Sequence, residues 1–283
     1  MRPLVFEKYE GLGNDFVVVE GTSALLSIDE VRAICDRHLG VGADGVLFTG
    51  VSAGRAFMQV VNADGSTAEM CGNGLRCVAL HLVRRGLVEH RELEVDTDAG
   101  PHAVRVHEIA APGRVEVEMR APSLAPRDVP VLRGAGEEDA PMIDAELRAE
   151  GVVLRGTAVS MGNPHLVTFD APAAQRLALG PALQDDPRFP EKVNVGFATM
   201  RGRAAMELHV FERGAGWTQA CGTGACAAAV AAVETGRADR GAVIEVALPG
   251  GVLEIVVGER GERVRMTGPA RHVFSGRLAS LGR

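Results

Sequence analysis

The sequence predicts an α+β (α/β) protein made of two pseudo-symmetric domains, each a sheet packed around a central buried helix. Three observations predict this class. Two short motifs recur in the same order, many short segments alternate between apolar and polar residues, and a helix candidate follows each of two Cys-Gly-x-Gly strings. With 283 residues, of which 46% are hydrophobic, the chain is long enough for two medium-sized domains.

The repeat is the observation on which the domain prediction depends. The string CGNG at 71–74 returns as CGTG at 221–224, which is 150 residues later. GNDFVVVE, starting at Gly13, resembles GNPHLVTFD, starting at Gly162, which is 149 residues later. Because two matches occur in one order at nearly equal spacing, we expect a duplicated unit that runs from a Gly-Asn turn to a Cys-Gly-x-Gly turn and helix.

The remaining elements follow from periodicity and from turn signals. Helices are expected at 75–86 and 224–236, each ending at a glycine, and the second is apolar on nearly all sides, which indicates burial all round. Residues 27–40 form a more amphipathic helix candidate. Period-two alternation predicts strands in the segments FVVVE, AFMQVVN, LEVDT, HAVRVHE, RVEVEMR, MELHVFE and GVLEIVVG.

A Pro-rich stretch at 121–130, APSLAPRDVP, is interpreted as the crossover between the halves. The predicted first domain is 1–120 plus 266–283, which carries Cys71. The predicted second domain is 121–265, which carries Cys221.

Composition excludes several classes of function. The formal net charge of −7 argues against a general nucleic-acid binder. The first residues lack the apolar core of a signal peptide, and no run approaches twenty apolar residues, so we expect neither secretion nor a membrane span. Five cysteines without a secretion signal predict reduced thiols in the cytoplasm.

Two motif-like features are set aside. The spacings between Cys71 and Cys77 and between Cys221 and Cys226 fit structural zinc poorly, so no metal is expected, and Cys77, Cys226 and Cys35 are assigned to packing. GVGADG at 40–45 follows a helix pattern and precedes a strand, the reverse of a dinucleotide fingerprint.

A cysteine before Gly-x-Gly at a helix start has a chemical meaning. Unpaired N–H groups and the helix dipole favour negative charge there, so we expect the thiol pKa to fall by about one to five units from ~8.5. Glycines permit positive φ and let a ligand carboxylate approach the backbone. Two such cysteines, one a thiolate and one a thiol, could exchange protons on opposite faces of one carbon and so invert a stereocentre.

Polar residues near these motifs are candidates for substrate binding, although turn chemistry explains any single asparagine. Arg213 could hold a carboxylate through two hydrogen bonds, or form an ordinary ion pair with Glu212. His165 could transfer protons or be structural. The asparagines at Gly-rich turns or ahead of a cysteine are Asn14, Asn62, Asn163 and Asn194.

Together, GLGNDFVVV, NADGSTAEMCGNGLRC, MGNPH, VNVGF and ERGAGWTQACGTGACA resemble the diaminopimelate epimerase family, in family order from about residue 8 to 236. The resemblance implies curled, mostly antiparallel sheets and a cofactor-independent interconversion of LL- and meso-2,6-diaminoheptanedioate in lysine and peptidoglycan synthesis. It also implies a small-molecule amino-acid substrate, a homodimer, and neither nucleic-acid nor membrane partners. Two departures from the family pattern, Glu10 and Trp217, lie outside the assigned chemistry.

The resemblance also assigns roles to individual residues. Cys71 and Cys221 would be the acid/base thiols, and Arg213 would bind the distant carboxylate of a two-headed substrate. The reacting carboxylate would be held by backbone N–H groups of Gly72, Asn73, Gly222 and Thr223. Substrate binding would involve Asn14, Asn62, Asn163, Asn194, Glu212 and Arg213.

Three alternatives stay open at this point. A related cofactor-independent racemase would act on proline, hydroxyproline or histidine. A thiol redox protein would usually show C-x-x-C, which is absent. A non-catalytic amino-acid binding protein would bind ligand without exchanging its α-proton.

Overall fold

A computed structural model describes residues 3–279. The chain divides into two compact units, Met1–Glu118 with Thr267–Arg283, and Met119–Met266. The boundaries expected from sequence, after residues 120 and 265, lie two residues and one residue from these. Residues 1, 2 and 280–283 of the predicted first domain lie outside the described residues.

Within residues 3–279, the first unit contains two α-helices and the early strands. The helices are α1 (Ile28–Cys35) and α2 (Gly72–Arg84). The strands are β1 (Leu4–Gly11), β2 (Asn14–Glu20), β3 (Gly45–Ser52), β4 (Arg55–Asn62), β5 (Thr67–Ala68), β6 (Glu92–Thr97), β7 (Gly100–Glu108) and β8 (Gly113–Glu118).

The second unit repeats this order. Its helices are α3 (Arg176–Gln184) and α4 (Gly222–Glu234). Its strands are β9 (Ala145–Ala149), β10 (Val152–Ser160), β11 (Pro164–Thr168), β12 (Asn194–Met200), β13 (Ala205–Glu212), β14 (Gly216–Trp217), β15 (Val243–Leu248) and β16 (Gly251–Val257), and β17 (Val264–Leu278) begins in this unit and continues into the first.

Strand pairing follows the same pattern in both units. In the first, β1–β2, β3–β4 and β6–β7 are antiparallel, whereas β2–β3 and β4–β6 are parallel. In the second, β10–β11, β12–β13 and β15–β16 are antiparallel, whereas β11–β12 and β13–β15 are parallel. The predicted α+β architecture is confirmed, with one long helix inside each unit, and the parallel pairs make its sheets mixed.

The helices α2 and α4 each have 13 residues and are largely buried. Helix α2 packs on β1, β7 and β8, and α4 packs on β10, β11 and β16. The alanines of α4 let surrounding strands approach closely, and alanine is the residue with the highest helix propensity. The expected glycine ends are confirmed, since Gly86 and Gly236 adopt positive φ of 66° and 71°.

Both helix ends use the same hydrogen bonds. The N–H groups of Gly86 and Leu87 donate to the carbonyls of Val83 and Leu82. The corresponding groups in the second unit are Gly236 and Arg237, which donate to Val233 and Ala232. This paired arrangement satisfies carbonyls that the helix leaves unpaired, and only glycine adopts the required left-handed conformation without steric cost.

Two helix expectations need correction. The predicted helix at 27–40 starts with a Ser27–Glu30 capping box but ends at Cys35. It stops early because the Asp36 carboxylate accepts hydrogen bonds from the backbone N–H groups two and three residues later, those of His38 and Leu39, which closes a turn instead. The sequence reading also missed α3, whose internal Pro181 obscured the helical pattern.

GVGADG at 40–45 leads from this turn to β3, so it opens no helix, as expected. Among residues 3–279, no helix is long and apolar enough to cross a membrane.

Candidate active site

Cys71 and Cys221 occupy the same local position, the residue immediately before a buried helix. Their backbones are extended, with φ and ψ of −138° and 112° for Cys71 and −128° and 104° for Cys221. The first N–H groups of α2 and α4 have no partner within the helix, and they lie beside the cysteines. Each cysteine is therefore placed where a helix N-terminus can bind an anion.

The glycines that follow do not adopt positive φ, and one glycine at each helix start is needed for space. Gly72, Gly74, Gly222 and Gly224 are absent from the residues with positive φ, so that part of the sequence interpretation was wrong. A Cβ atom on Gly74 would lie 3.0 Å from the Leu47 side chain. A Cβ atom on Gly224 would lie 3.1 Å from the Cys221 sulfur itself. The glycine three residues after each cysteine thus makes room at the helix start.

In the first unit, Cys71, Asn14 and Asn73 form one cluster, which we call the first half-site. The Cys71 sulfur accepts a hydrogen bond from the Gly74 N–H at 3.4 Å and donates to Asn14 Oδ1 at 3.9 Å. Asn73 Nδ2 also donates to Asn14 Oδ1, at 3.2 Å. Asn14 begins β2 and Asn73 lies in the first turn of α2, so the strand and the helix together position the amides.

Charged residues extend this cluster at both ends. Asn14 Nδ2 donates to the Asp44 carboxylate at 2.6 Å. At the other end, the buried Arg76 guanidinium donates to Asn73 Oδ1 at 2.9 Å and to the Pro269 carbonyl at 3.2 Å. A chain of polar contacts thus runs from a carboxylate to a guanidinium past the Cys71 sulfur.

Asn62 occupies a different position. It ends β4, and its side chain donates to the Ser66 hydroxyl at 2.9 Å within the turn before β5. The half-buried Asn62 is therefore held by turn contacts, whereas Asn14, Gly72 and Asn73 lie with Cys71.

In the second unit, Cys221, Thr223 and Asn163 form the second half-site. The Cys221 sulfur lies 3.6 Å from the Thr223 hydroxyl, and Asn163 Nδ2 donates to that hydroxyl at 3.3 Å. Asn163 Oδ1 lies 3.1 Å from His165 Nε2. His165 is buried, and burial followed by the positive charge of Arg213 lowers its pKa to about 3. His165 is therefore neutral at pH 7 and orients Asn163.

Cys221 does not titrate as expected. Burial, followed by the negative charge of Glu212, raises the pKa of the Cys221 thiol well above its usual value. The Thr223 hydroxyl and the Gly224 N–H act in the opposite direction but do not compensate. The expected lowering of the thiol pKa at a helix start was wrong for Cys221. Loss of hydration destabilises the thiolate more than the helix N-terminus stabilises it.

Asn194 and Arg213 contact each other at the ends of two strands. Asn194 Oδ1 accepts a hydrogen bond from the Arg213 backbone N–H at 2.8 Å, and its amide donates to the Pro164 carbonyl at 3.0 Å. The exposed Arg213 side chain donates to the Glu191 carbonyl at 2.9 Å. Glu212 accepts a hydrogen bond from Thr218 at 2.5 Å rather than pairing with Arg213. The Arg213 guanidinium is thus exposed and contacts a backbone carbonyl, while Asn194 joins the residue after β13 to Pro164.

The other cysteines behave as packing residues. Cys35, Cys77 and Cys226 are buried, and none of the five cysteines forms a disulfide. Burial raises the pKa of Cys35 to about 11 and raises that of Cys77 further. Among residues 3–279, no group of three His, Cys, Asp or Glu side chains could hold a metal ion.

Sequence reasoning missed Asp44 and Arg76. Arg76 lies five residues after Cys71 inside an apolar helix, and a buried arginine there is a signal for a hydrogen-bonded role. Asp44 belongs to the GVGADG string that was set aside. Its hydrogen bond with Asn14 depends on the pairing of β2 with β3, which the sequence does not show. Trp217, a departure from the family pattern, packs against Phe197 and Phe211.

Comparison with known proteins identifies the family of the chain. The family model described as diaminopimelate epimerase matches residues 6–125 and 157–273. A diaminopimelate epimerase of Synechocystis sp. is 43% identical over 281 residues, covering 96% of this chain and 98% of the relative. Another, from Desulforudis audaxviator, is 45% identical over 278 residues, covering 96% and 98%.

A solved structure supports the fold alone. The Bacillus anthracis phenazine biosynthesis protein of the PhzF family superposes with a TM-score of 0.71 at 17% sequence identity, covering 99% of this chain and 100% of that protein. The sequence matches carry the assignment: the chain belongs to the diaminopimelate epimerase family and is an isomerase.

Proposed function

We propose that this protein is a cofactor-independent diaminopimelate epimerase that interconverts LL- and meso-2,6-diaminoheptanedioate by two-base proton transfer. Cys71 and Cys221 are the two bases. The observation that carries the proposal is that each unit independently places one cysteine at the start of a buried 13-residue helix. Inversion at a carbon needs one proton acceptor and one proton donor, and a duplicated half-site supplies the pair.

The proposed chemical step is a proton relay without net redox change. One sulfur, as thiolate, removes the α-proton, and the electron pair of the C–H bond passes to the α-carbon and its carboxylate. The other sulfur, as thiol, donates its proton to the opposite face. The product has inverted configuration, and the two sulfurs have exchanged protonation states. The scheme requires both sulfurs to reach opposite faces of one α-carbon.

The helix starts would stabilise the intermediate. Proton removal places charge on the α-carboxylate, and preorganised N–H donors directed at such charge are worth about 3–4 kcal/mol each. Gly72, Asn73, Gly222 and Thr223 are proposed to supply these donors from their backbones. Asn14, Asn62, Asn163, Asn194 and Glu212 are proposed to bind the remaining polar groups.

The raised pKa of Cys221 bears on the starting state. In the free enzyme at neutral pH, Cys221 would be a thiol. Cys71 would then be the base in whichever direction of epimerisation starts from that enzyme form. The reverse direction begins after the protons have been exchanged, so both arrangements occur in turnover.

A covalent imine is not needed for this chemistry. The chain has two lysines, and both are engaged elsewhere. Lys8 is buried against Asp15, and Lys192 pairs with Asp185 at 3.0 Å. Arg213 is proposed to bind the distant carboxylate, which would favour a long substrate with two amino-acid heads over proline, hydroxyproline or histidine.

The test is a proton NMR assay in deuterated water with purified protein and no added cofactor. We expect LL-diaminopimelate to exchange its α-proton and to yield the meso isomer. Proline, hydroxyproline and histidine are assayed in parallel. Exchange with one of these and none with diaminopimelate would replace the proposal by a related racemase, and binding without exchange would leave only a binding protein.

A second experiment tests the shared carbon. Mild oxidation should join Cys71 to Cys221, abolish activity, and be reversed by a thiol reductant. The disulfide is identified by mass spectrometry of the non-reduced digest. A fully oxidised sample in which this link never forms would contradict the two-base scheme.

We further propose a homodimer in the reducing cytoplasm. Five thiols outside any disulfide fit such a compartment, and the family resemblance suggests the dimer. Light scattering after gel filtration should give a mass near twice 29.8 kDa.

A further inference from the structure

We propose that Asp44 and Arg76 are positioning residues that fix the orientation of the Asn14 carboxamide, so that its oxygen, and not its nitrogen, faces the Cys71 sulfur. The effect of this orientation on catalysis depends on the proposed function. The orientation itself is inferred from hydrogen bonds within the first half-site.

The orientation follows from the chemistry of the two ends of the chain. An ionised carboxylate only accepts hydrogen bonds, and a guanidinium only donates them. Arg76 therefore requires the oxygen of Asn73 to face it, at 2.9 Å, which leaves Asn73 Nδ2 to donate to Asn14. Asp44 requires the nitrogen of Asn14 to face it, at 2.6 Å. The two ends together place Asn14 Oδ1 toward Asn73 and the sulfur.

Each end is itself held. Asp44 accepts the Asp15 backbone N–H at 3.0 Å and pairs with Arg37 at 2.7 Å. Arg76 is buried, and it also donates to the Pro269 carbonyl at 3.2 Å. A turned Asn14 amide would face a carboxylate with its oxygen and an amide nitrogen with its nitrogen, so both hydrogen bonds would become repulsive.

The consequence for Cys71 follows from hydrogen-bond polarity. An oxygen 3.9 Å from the sulfur accepts from the S–H and disfavours the thiolate, whereas an N–H₂ group there would stabilise the thiolate. The fixed oxygen thus offers an acceptor to the Cys71 S–H and no donor to its thiolate. The Gly74 N–H acts on the sulfur in the opposite sense.

The test compares two substitutions of equal charge. Asp44→Asn keeps an acceptor for Asn14, because the backbone N–H of Asp15 donates to the same oxygen and so favours an oxygen at that position. The exposed Arg37 can turn away from the new N–H₂ group and keep Asp15 as its partner. Asp44→Leu removes the acceptor at similar size. We expect Asp44→Asn to keep kcat within about threefold of wild type. We expect Asp44→Leu to lose at least about tenfold in kcat with a smaller change in KM, because only the Arg76 end then holds the amide.

A second readout does not depend on catalysis. The rate of Cys71 alkylation by iodoacetamide at one pH is measured by peptide mass spectrometry on the full chain. We expect Asp44→Leu to be alkylated at least about threefold faster than Asp44→Asn, since the Asn14 nitrogen can then reach the sulfur. Equal alkylation rates, or equal losses of kcat in the two variants, would overturn the proposal and leave the charge of Asp44 as the cause.

The Arg76 end is tested in the same way. Arg76→Lys keeps a donor to Asn73, and Arg76→Met does not. We expect Arg76→Lys to resemble wild type in Cys71 alkylation and Arg76→Met to be faster, with circular dichroism confirming that each variant is folded. If Arg76→Met does not fold, the Asp44 pair decides the matter alone. If wild type lacks epimerase activity, the alkylation comparison still tests the orientation, so the two failures are distinguishable.

Discussion

The two half-sites have the same backbone and different side chains. Each begins with an extended cysteine, continues into a helix of 13 residues, and is preceded by a strand that ends nine residues earlier. At that strand end the first unit has Asn62 and the second has Glu212. The neutral amide adds no charge, whereas the carboxylate raises the pKa of Cys221. One duplicated scaffold therefore provides two thiols with different surroundings.

The residues two and five positions after each cysteine also differ in chemistry between the units. Two residues after each cysteine lie Asn73 and Thr223, so the first sulfur is flanked by amides and the second by a hydroxyl. Five residues after each cysteine lie Arg76 and Cys226. The first half-site is held by a buried cation, while the second packs a thiol among alanines.

The strands show a third difference. Phe16 lies opposite Gly45 in the β2–β3 pair, and His165 lies opposite Asn194 in the β11–β12 pair. An apolar ring in one unit thus corresponds to a buried neutral imidazole in the other. The two units thus share a backbone arrangement and differ in the chemistry of their side chains, and a reaction with one acid and one base requires such a difference.

The largest effect is expected when either sulfur is removed. Cys71→Ala and Cys221→Ala should each lower kcat by at least about 100-fold, because a positioned acid or base contributes roughly 10²–10⁴-fold. Cys77→Ala and Cys226→Ala, buried in the same helices, are the matched controls and should keep kcat within a few-fold. Near-normal turnover in either of the first two variants would end the two-base scheme.

The next effect concerns stability and distinguishes His165 from Phe16. The pKa of His165 is lowered to about 3 in the folded state, so the unfolded chain binds a proton near pH 6.5 that the folded chain does not. Stability is therefore full above about pH 6.5 and falls with pH, by about 2 kcal/mol between pH 7 and pH 5 from this group.

His165→Gln should remove that part of the slope. Urea unfolding of both proteins at pH 7 and pH 5 measures it, with His38→Gln on the exposed surface as control. An unchanged slope in His165→Gln would show that the imidazole is protonated in the folded state.

Glu212→Gln tests the electrostatic difference between the half-sites, because it removes the carboxylate that only the second one has. Loss of the carboxylate should lower the pKa of Cys221, so alkylation of Cys221 at pH 8 should become about tenfold faster while that of Cys71 changes little. Glu207→Gln, on the same strand but exposed and paired with Arg201, is the control. Equal rates in the two variants would mean that burial alone raises this pKa.

The smallest expected effect tests the space at the helix starts. Gly224→Ala places a Cβ atom 3.1 Å from the Cys221 sulfur, whereas Gly74→Ala meets the Leu47 side chain at 3.0 Å. We expect Gly224→Ala to lower kcat about fivefold by displacing the sulfur, and Gly74→Ala to affect mainly the melting temperature. A larger kcat loss in Gly74→Ala would reverse this assignment.

The sequence by itself determined the elements whose signals are local. The duplicated CGNG and CGTG strings identified the two helices, their N-terminal cysteines and their glycine ends, because capping residues act within a few positions of one another. The ordered motifs identified the family for the same reason, because each motif is a short local string that can be recognised without knowledge of the fold.

Only the tertiary structure decided what surrounds each sulfur. The contact of Asn14 with Asp44 depends on the pairing of β2 with β3, and the pKa of Cys221 depends on burial and on a carboxylate from another strand. Desolvation and hydrogen-bond polarity arise from atoms distant in the chain. A helix N-terminus visible in the sequence therefore predicted the wrong direction for the Cys221 pKa, and the fold reversed it.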